Sequence, residues 1–539
     1  MNRRNLAVLA ALLSFSVGFA APPVCANSAN DLPHIVTENG RHAFIVDGQP
    51  FLVLGAQANN SSNWPAMLPK VWPAVEDVHA NTLAMPIAWE QIEPTEGKFD
   101  FSFLDTLLAQ AREHKVRLDL LWFATWKNNG PQYAPEWVKL DTDKYPRLIT
   151  AKGEKWGSMS PFGEATLAAD RKAFVALMTH LKQVDPQHTV ILVQVENEAG
   201  TYGSVRDYSP AAEERFRAQV PAELVKGLGK QPGTWSQVFG EDADEFFHAW
   251  YVARYINEIA AAGKAVYNLP LYVNASLKDV IHPQKASTYE SGGPTYNVIP
   301  VYKIAAPAID LIGPDIYNPD YAEYVGNLDA YHRADNPMFV TETGNAALYA
   351  RYFFATLGHQ GIGFAPFGFD YTKYVNFPLG APRFEPEDLA PFAANFKLVA
   401  PMMRELATLS FKGKVWGVSE PTAEHEQTID LGDWHALVAY GRPQFGSEGP
   451  APGNPTPSGG VLIAELSPGE YLVTGYHARV NFEPAGKMIG KHPQYARIEE
   501  GHYDNGKWVF ERVWNGDQVD YGLNFTSIPQ VLKVRLATY

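Results

Sequence analysis

The stretch ILVQVENEAGTYG, residues 191–203, starts as the apolar run of a buried strand and then sets Gln194, Glu196, Asn197 and Glu198 at its end. An unpaired buried charge is costly, so carboxylates closing a hydrophobic segment must meet a partner or an open mouth. Seven further runs of this kind occur: FLVLGAQ (51–57), TLAMPIAW (82–89), VRLDLLWFA (116–124), LPLYVNAS (269–276), IDLIGPDIY (309–317), MFVTE (338–342) and GIGFAPFGF (361–369). With VILVQVEN (190–197) they make eight. Between them lie SFLDTLLAQAREH, TLAADRKAFVALMTHLKQV, DEFFHAWYVARYINEIAAAGK and NAALYARYFFATL, each with apolar residues three and four apart. Eight runs alternating with helices predict an α/β fold, a (β/α)8 TIM barrel. A doubly wound open sheet is the structural rival, but no glycine-rich phosphate turn follows any of the runs.

The barrel pattern does not fill the chain of 539 residues. Ahead of it, AFIVDGQPFLVLGAQ offers two β-rich runs joined through Asp47-Gly48, a hairpin signal. A last helix, EDLAPFAANFKLVAPMMRELATL, closes the barrel domain, expected to span residues 27–410. From 411 to 539 short alternating strands such as ALVAYG, GVLIAEL, EYLVTGY and VLKVRLATY predict an all-β, sandwich-like accessory domain. Within it, FGSEGPAPGNPTPSGG (445–460) reads as an exposed loop. Residues 1–26 read as a signal peptide, with Arg3 and Arg4 followed by an apolar stretch to about Ala20 and cleavage after Ala26. The apolar stretch is shorter than the ~20 residues of a spanning helix. A periplasmic or extracellular protein with no membrane attachment after cleavage is therefore expected, exported by the general or the twin-arginine route. Cys25 is the single cysteine, so the mature chain would hold no thiol.

A formal charge of −15 repels nucleic acid and anionic membranes but not a neutral substrate. No HExxH, GxSxG or GxxxxGK[ST] pattern occurs and the histidines are scattered, so neither metal nor cofactor is expected. Barrel enzymes work at the C-terminal ends of their strands. Glu198 closes the fourth run and Glu342, in FVTETGN, closes the seventh. Two carboxylates reaching one mouth suit hydrolysis of a glycosidic bond, one protonating the leaving oxygen and the other attacking the anomeric carbon. Asn197 adds a group for a sugar hydroxyl. Glu196, two residues before Glu198, shares its parity along the strand and is expected on the same side, binding sugar or supporting Glu198. Trp64, Trp89, Trp122, Trp126, Trp137 and Tyr202 follow or end predicted strands, where rings can stack on a pyranose; of these, Trp126 and Tyr202 are expected to bind substrate. Asn274, Asp315, Tyr317 and Phe369 complete the rim, and the Tyr317 hydroxyl is suited to hold a nucleophilic carboxylate.

QVENEAGTYG (194–203) resembles the acid/base motif of glycoside hydrolase family 35, the β-galactosidases, and WEQIEPTEGKFDF (89–101) resembles a signature shared by families 35 and 42. The resemblance spans roughly residues 40–400. It implies a retaining barrel glycosidase in which Glu198 is the acid/base and Glu342 the nucleophile. Thr125 stands where family 35 members commonly have the glutamate of an Ala-Glu-Trp segment, and Ala199 where tyrosine is usual. These departures mark a divergent branch, associated with an added C-terminal β-domain and with plant cell-wall polysaccharides. The implied substrate is a terminal β-galactosyl residue of an oligo- or polysaccharide, with the side chains of xyloglucan as the natural case. β-Glucosides, β-mannosides and α-arabinosides stay open as alternatives, as does a noncatalytic carbohydrate-binding protein. The oligomeric state is left open.

Overall fold

The computed structural model describes residues 32–445 and 449–539; the signal-peptide reading of residues 1–26 lies outside them. Eight parallel strands close a barrel: β1 (Val53–Gln57), β2 (Thr82–Ala88), β3 (Arg117–Lys127), β4 (Val190–Asn197), β5 (Leu271–Ser276), β6 (Leu311–Ile316), β7 (Phe339–Thr343) and β8 (Gly363–Pro366). Closure is made by β8 on β1, with Gly363 opposite Val53 and Phe364 opposite Leu54. The intervening helices are α1 (Leu68–Asp77), α2 (Ser102–Glu113), α3 (Glu164–Val184), α4 (Ala243–Val266), α5 (Ile299–Ala305), α6 (Tyr321–Tyr331) and α7 (Tyr352–Gly358), followed by α8 (Pro386–Val399) and α9 (Met403–Phe411). The expected single helix over 387–409 is broken into two, because Pro401 has no N–H to continue the ladder.

Strand parity divides the barrel into two cores. Leu83, Met85, Ile87, Leu120, Trp122, Val193, Val195, Val273, Ile312 and Val340 face outward and pack with the helices. Ala84, Leu121, Phe123, Leu192, Tyr272, Leu311 and Phe339 fill the inside, joined by Phe44, Val46 and Phe51 from the N-terminal segment. That segment pairs Arg41–Val46 with Gln49–Pro50 through Asp47 and Gly48, both at positive φ, the backbone a two-residue hairpin turn demands. The hairpin thus ends at Pro50, and FLVLGAQ belongs to the barrel rather than to the hairpin. With its lower half plugged by apolar rings, the barrel has one open end, at the C-terminal ends of its strands.

The β-rich part has two antiparallel sheets. One has six strands in the order β9 (Val415–Ser419), β12 (Gly460–Ser467), β13 (Glu470–Tyr476), β18 (Val531–Thr538), β15 (Pro493–Asp504) and β16 (Lys507–Val513). The other has four: β10 (Glu426–Asp430), β11 (Trp434–Tyr440), β14 (Ala478–Pro484) and β17 (Leu523–Phe525). Val461, Ile463 and Val473 of the larger sheet meet Ala436, Val438 and Val480 of the smaller one. Leu462, Ala464 and Leu472, on the opposite face, join the core of the barrel. The two domains meet backbone to backbone where Gly417 of β9 lies on Gly358 of α7, since a Cβ on either would run into the other chain segment's backbone. Arg351 reaches the Pro457 carbonyl at 2.7 Å and the Tyr476 hydroxyl reaches that of Ala394 at 3.0 Å.

One buried acid inside the barrel gives the fold a measurable signature. Asp119 on β3 accepts a 2.7 Å hydrogen bond from the Tyr272 hydroxyl, and burial pushes its carboxyl up to about 8. A group that binds its proton more tightly folded than unfolded stabilises the fold below its unfolded value and loses that contribution as pH rises to the folded one. Asp119→Asn keeps an acceptor for Tyr272 and has nothing to ionise. Its thermal midpoint relative to the parent is therefore expected to climb steadily between about pH 4 and about pH 8; a difference that is flat with pH contradicts a protonated Asp119.

Candidate active site

The open end of the barrel holds a cavity of about 470 Å³ whose walls include Glu198, Asp315 and Glu342. These three lie just past β4, on β6 and on β7, and one carboxylate oxygen from each falls within 4.8 Å of those of the other two. Glu342 is fixed by two donors: Gln57 Nε2 from the end of β1 at 2.8 Å and the Tyr317 hydroxyl, just past β6, at 2.7 Å. Glu198 accepts from the Asn128 side-chain amide, and its backbone N–H is held by Asn274 Oδ1 at 2.8 Å. Burial, and then the charge of Glu342, push the Glu198 carboxyl up to about 7, with Lys127 acting in the opposite direction. Asp315 is pushed well up by burial and by both neighbouring glutamates, and it hydrogen-bonds Glu198. Thr341 Oγ1 and Asn274 Nδ2 donate to its two oxygens at 2.8 and 2.7 Å.

Of the candidates named from sequence, Glu198, Glu342, Asp315, Tyr202 and Tyr317 line this cavity. Tyr202 is 38% exposed, and its hydroxyl meets Ser276 Oγ at 2.5 Å. Asn197 and Asn274 sit beneath the acids, wholly buried. The Asn197 side-chain oxygen accepts from Gln194 Nε2 and Asn274 Nδ2 at 3.0 and 3.2 Å, so both asparagines brace the acid-bearing strand ends.

Glu196, Thr125 and Trp126 lie elsewhere, in the layer between barrel and helices. Glu196 and Glu198 both have positive φ, 63° and 44°, so the pleat is broken and equal parity no longer means the same side. Glu196 turns outward, where its Oε2 accepts the Trp126 N–H at 2.7 Å and its carboxyl faces Asp170 of α3. Burial, and then the charge of Asp170 and the hydrogen bond to it, drive Glu196 well up, while burial raises Asp170 and the hydrogen bond from Glu196 works against that rise, the condition of a proton held between two carboxyls. Thr125 Oγ1 donates to Asp170 at 2.5 Å, Trp122 Nε1 donates to the other oxygen at 2.9 Å, and the Tyr255 hydroxyl lies 2.9 Å from Thr125. β3 extends to Lys127 rather than stopping at 124, and its register on β4 slips between Trp122 and Lys127, which carries Thr125 and Trp126 to the outside. Trp126 packs edge-on to Tyr255 and donates to Ser158. Trp89, Trp122 and Phe369 are likewise core rings; Trp64, after β1, is half exposed.

Four residues at this site were missed from sequence. Gln57 ends β1 in an unremarkable GAQ; Lys127 and Asn128 lie past the point where the apolar run of β3 stops. The fourth is Glu290, wholly buried in the loop after β5, whose carboxyl is driven up by burial and by Glu198. Gly200, two residues past Glu198, packs against the Glu290 side chain and against the backbone of Ser291 and Gly293, where no Cβ would fit.

The family model of glycoside hydrolase family 42, described as beta-galactosidase, matches residues 73–267. A second, described as a domain of unknown function (DUF5597), matches residues 392–526. A beta-galactosidase of Xanthomonas manihotis is 28% identical over 219 residues, 39% of this chain and 32% of that protein. Beta-galactosidase BgaA of a Thermus species is 25% identical over 158 residues, 28% of this chain and 23% of that protein. The chain thus matches a third or less of the length of these relatives. The solved beta-galactosidase of the psychrophilic Marinomonas ef1 aligns with a TM-score of 0.49 and 13% identity, over 66% of this chain and 61% of that one. The match to residues 73–267 includes WEQIEPTEGKFDF, the segment that resembles families 35 and 42 alike.

Two outcomes follow from this geometry. An acid whose protonated form is the working one gives a rate that is level at low pH and falls as the proton is lost, so kcat/KM is expected to decline through about pH 7 on its alkaline side. Steady-state rates across pH check it, and an alkaline limb more than about one unit higher excludes Glu198 as the titrating acid. Asp170→Ala leaves Thr125, Trp122 and Glu196 without their partner and is expected to cost about 1–3 kcal/mol of stability, read from the denaturant midpoint.

Proposed function

We propose that the chain is a retaining β-galactosidase that removes terminal β-galactosyl residues from oligo- and polysaccharides by double displacement. The observation that carries this reading is the approach of Glu198 and Glu342 within one cavity, with carboxylate oxygens inside 4.8 Å of one another. Retaining glycosidases hold their carboxyl groups about 5–5.5 Å apart, whereas inverting ones stand wider to admit a water between acid and base. In the proposed sequence Glu342, oriented by Gln57 and Tyr317, attacks the anomeric carbon while Glu198 gives its proton to the departing glycosidic oxygen. The carboxylate left on Glu198 then draws a proton from water as that water displaces the sugar from Glu342. Asp315, hydrogen-bonded to Glu198 and next to both glutamates, keeps negative charge from accumulating between them by retaining its own proton.

Galactose as the sugar is supported by the β-galactosidase match over residues 73–267 and by the names of the curated relatives. Placement in family 35 rests on QVENEAGTYG, and the xyloglucan side chain as natural substrate rests on the branch features that accompany Thr125 and Ala199. The signal-like N-terminus supports action in the periplasm or outside the cell, where such polymers are met.

Glu198→Gln should lose most of its activity on substrates with poor leaving groups and much less on an activated aryl β-galactoside, with azide restoring turnover of the latter. Glu342→Gln should be inactive on both and show no rescue. NMR of the first-formed sugar is expected to show the β anomer; an α product ends the nucleophile assignment. A panel of nitrophenyl β-galactoside, β-glucoside, β-mannoside and α-arabinoside tests the sugar. Faster cleavage of any of the others than of galactoside overturns the specificity while leaving the mechanism, and no cleavage at all returns the chain to a carbohydrate-binding role.

A further inference from the structure

Two of the exposed aromatic rings of the β-domain touch each other. Phe445, in the loop between β11 and β12, is 57% exposed, and Tyr521, between β16 and β17, is 44% exposed. Their rings meet edge to face with centroids 5.7 Å apart. Two large apolar faces left in water are costly, and neither ring is part of the described core between the two sheets. The ridge they form borders two grooves, Tyr521 one and Phe445 the other. One, about 340 Å³, has Gln427, Thr428, Arg442, Asn481 and Tyr521 in its walls. The other, about 510 Å³, has Gln444, Phe445, Asn515, Gln518, Asn524 and Gln530.

We infer that this ridge and its flanking grooves are a second carbohydrate-binding site, for a neutral polysaccharide chain, on the β-domain outside the barrel mouth. The side-chain amides of Asn481, Asn515 and Gln518, each with donors and an acceptor in one plane, match the paired hydroxyls of a sugar, and exposed rings match its C–H faces. The selection for a neutral chain comes from the way the charges are arranged. Arg442 is paired with Glu426 and Arg512 with Glu500, Arg479 donates to the Pro443 carbonyl, and the Asp517 carboxylate offsets the basic groups, so neither sign dominates the walls. The ridge is also held in place before any ligand arrives: Gln444, next to Phe445, accepts from Asn524 Nδ2 at 2.6 Å and donates to the Asp517 carbonyl at 3.1 Å. Its orientation toward the barrel is set by Gln427, which lines the first groove and donates to the Tyr321 hydroxyl at 2.8 Å. Tyr321 opens α6, four residues after Tyr317 of the cavity. A chain lying across the ridge is thereby anchored to the domain that packs beside the loop following β6. The identity of the polymer rests on the proposed galactosidase reading.

The full chain carrying Glu342→Gln, which leaves polymer intact, is run in native gels with and without galactose-bearing xyloglucan or β-galactan. It is expected to be retarded by at least one of them. Adding Phe445→Ala or Tyr521→Ala should weaken the retardation about fivefold or more in apparent affinity, and Phe445→Trp should keep it. In the otherwise native chain, Phe445→Ala should leave the rate on nitrophenyl β-galactoside unchanged and raise KM several-fold on the polysaccharide. Equal retardation of parent and alanine variants, or no retardation by either polymer, overturns the inference. A chain that cleaves galactosides but is retarded regardless of the ridge loses this site alone. A chain that cleaves no glycoside but depends on Phe445 for retardation keeps the site and loses the catalytic reading.

Discussion

Three carboxyl groups inside 4.8 Å of one another, largely cut off from water, cannot all be charged, and the mouth of the barrel is organised around that constraint. Coulomb repulsion at such a distance in a low-dielectric site is many times what it is in water, so protons must be retained on part of the set. The surrounding donors decide where. Glu342 receives two, from Gln57 and Tyr317, while Glu198 sits where burial and the Glu342 charge raise its proton affinity and Asp315 keeps its own proton. These groups come from β1, β4, β6 and β7 or the turns just past them, and Asn128 and Asn274 add β3 and β5. Only a closed barrel brings so many strand ends to one point, which is how fold and proton distribution become one problem.

Much of this was legible because the signals are short-range. The apolar runs locate all eight strands to within a few residues, and a carboxylate at the end of such a run has few places to go but the mouth. What was not legible depends on backbone detail that periodicity cannot express. The prediction that Glu196 and Glu198 share a side assumes an unbroken pleat, and the two left-handed residues remove it. The register slip in β3 similarly sends Thr125 and Trp126 outward, so Thr125 lies against Asp170 of the helix layer. Gln57, Asn128 and Glu290 were invisible for a different reason: each matters through a partner distant in sequence, and nothing local marks an amide or a loop acid as such a partner.

The β-domain shows how one pattern serves two interfaces. In β12 the odd positions Val461 and Ile463 face the smaller sheet, and the even positions Leu462 and Ala464 face the helices of the barrel. A strand buried on both sides reads as a continuous apolar run, which is why GVLIAEL lacks the clean alternation of a half-exposed strand. The six-stranded sheet is therefore a shared wall rather than an appendage. Removing its packing on α7 would expose the Gly358 and Gly417 contact, a surface with no side chains to shield it.

The pair formed by Glu196 and Asp170 explains the broken pleat. A buried carboxyl pair is expensive compared with apolar residues of similar volume, so it is retained for what it positions rather than for stability. Its four partners, Trp122, Thr125, the Trp126 N–H and, through Thr125, Tyr255, all fix the bulged end of β3 against the kinked end of β4. The residues that follow on those two strands are Lys127 and Asn128 on one side and Asn197 and Glu198 on the other. A left-handed turn at Glu196 is strained for a residue with a side chain, and the outward hydrogen bond to Trp126 N–H is what holds it there. The same turn frees Glu198 to swing inward onto Asn128 and toward Glu342. Glu196 and Glu198 thus have separate tasks: one is locked in the helix layer so that the other is held at the mouth.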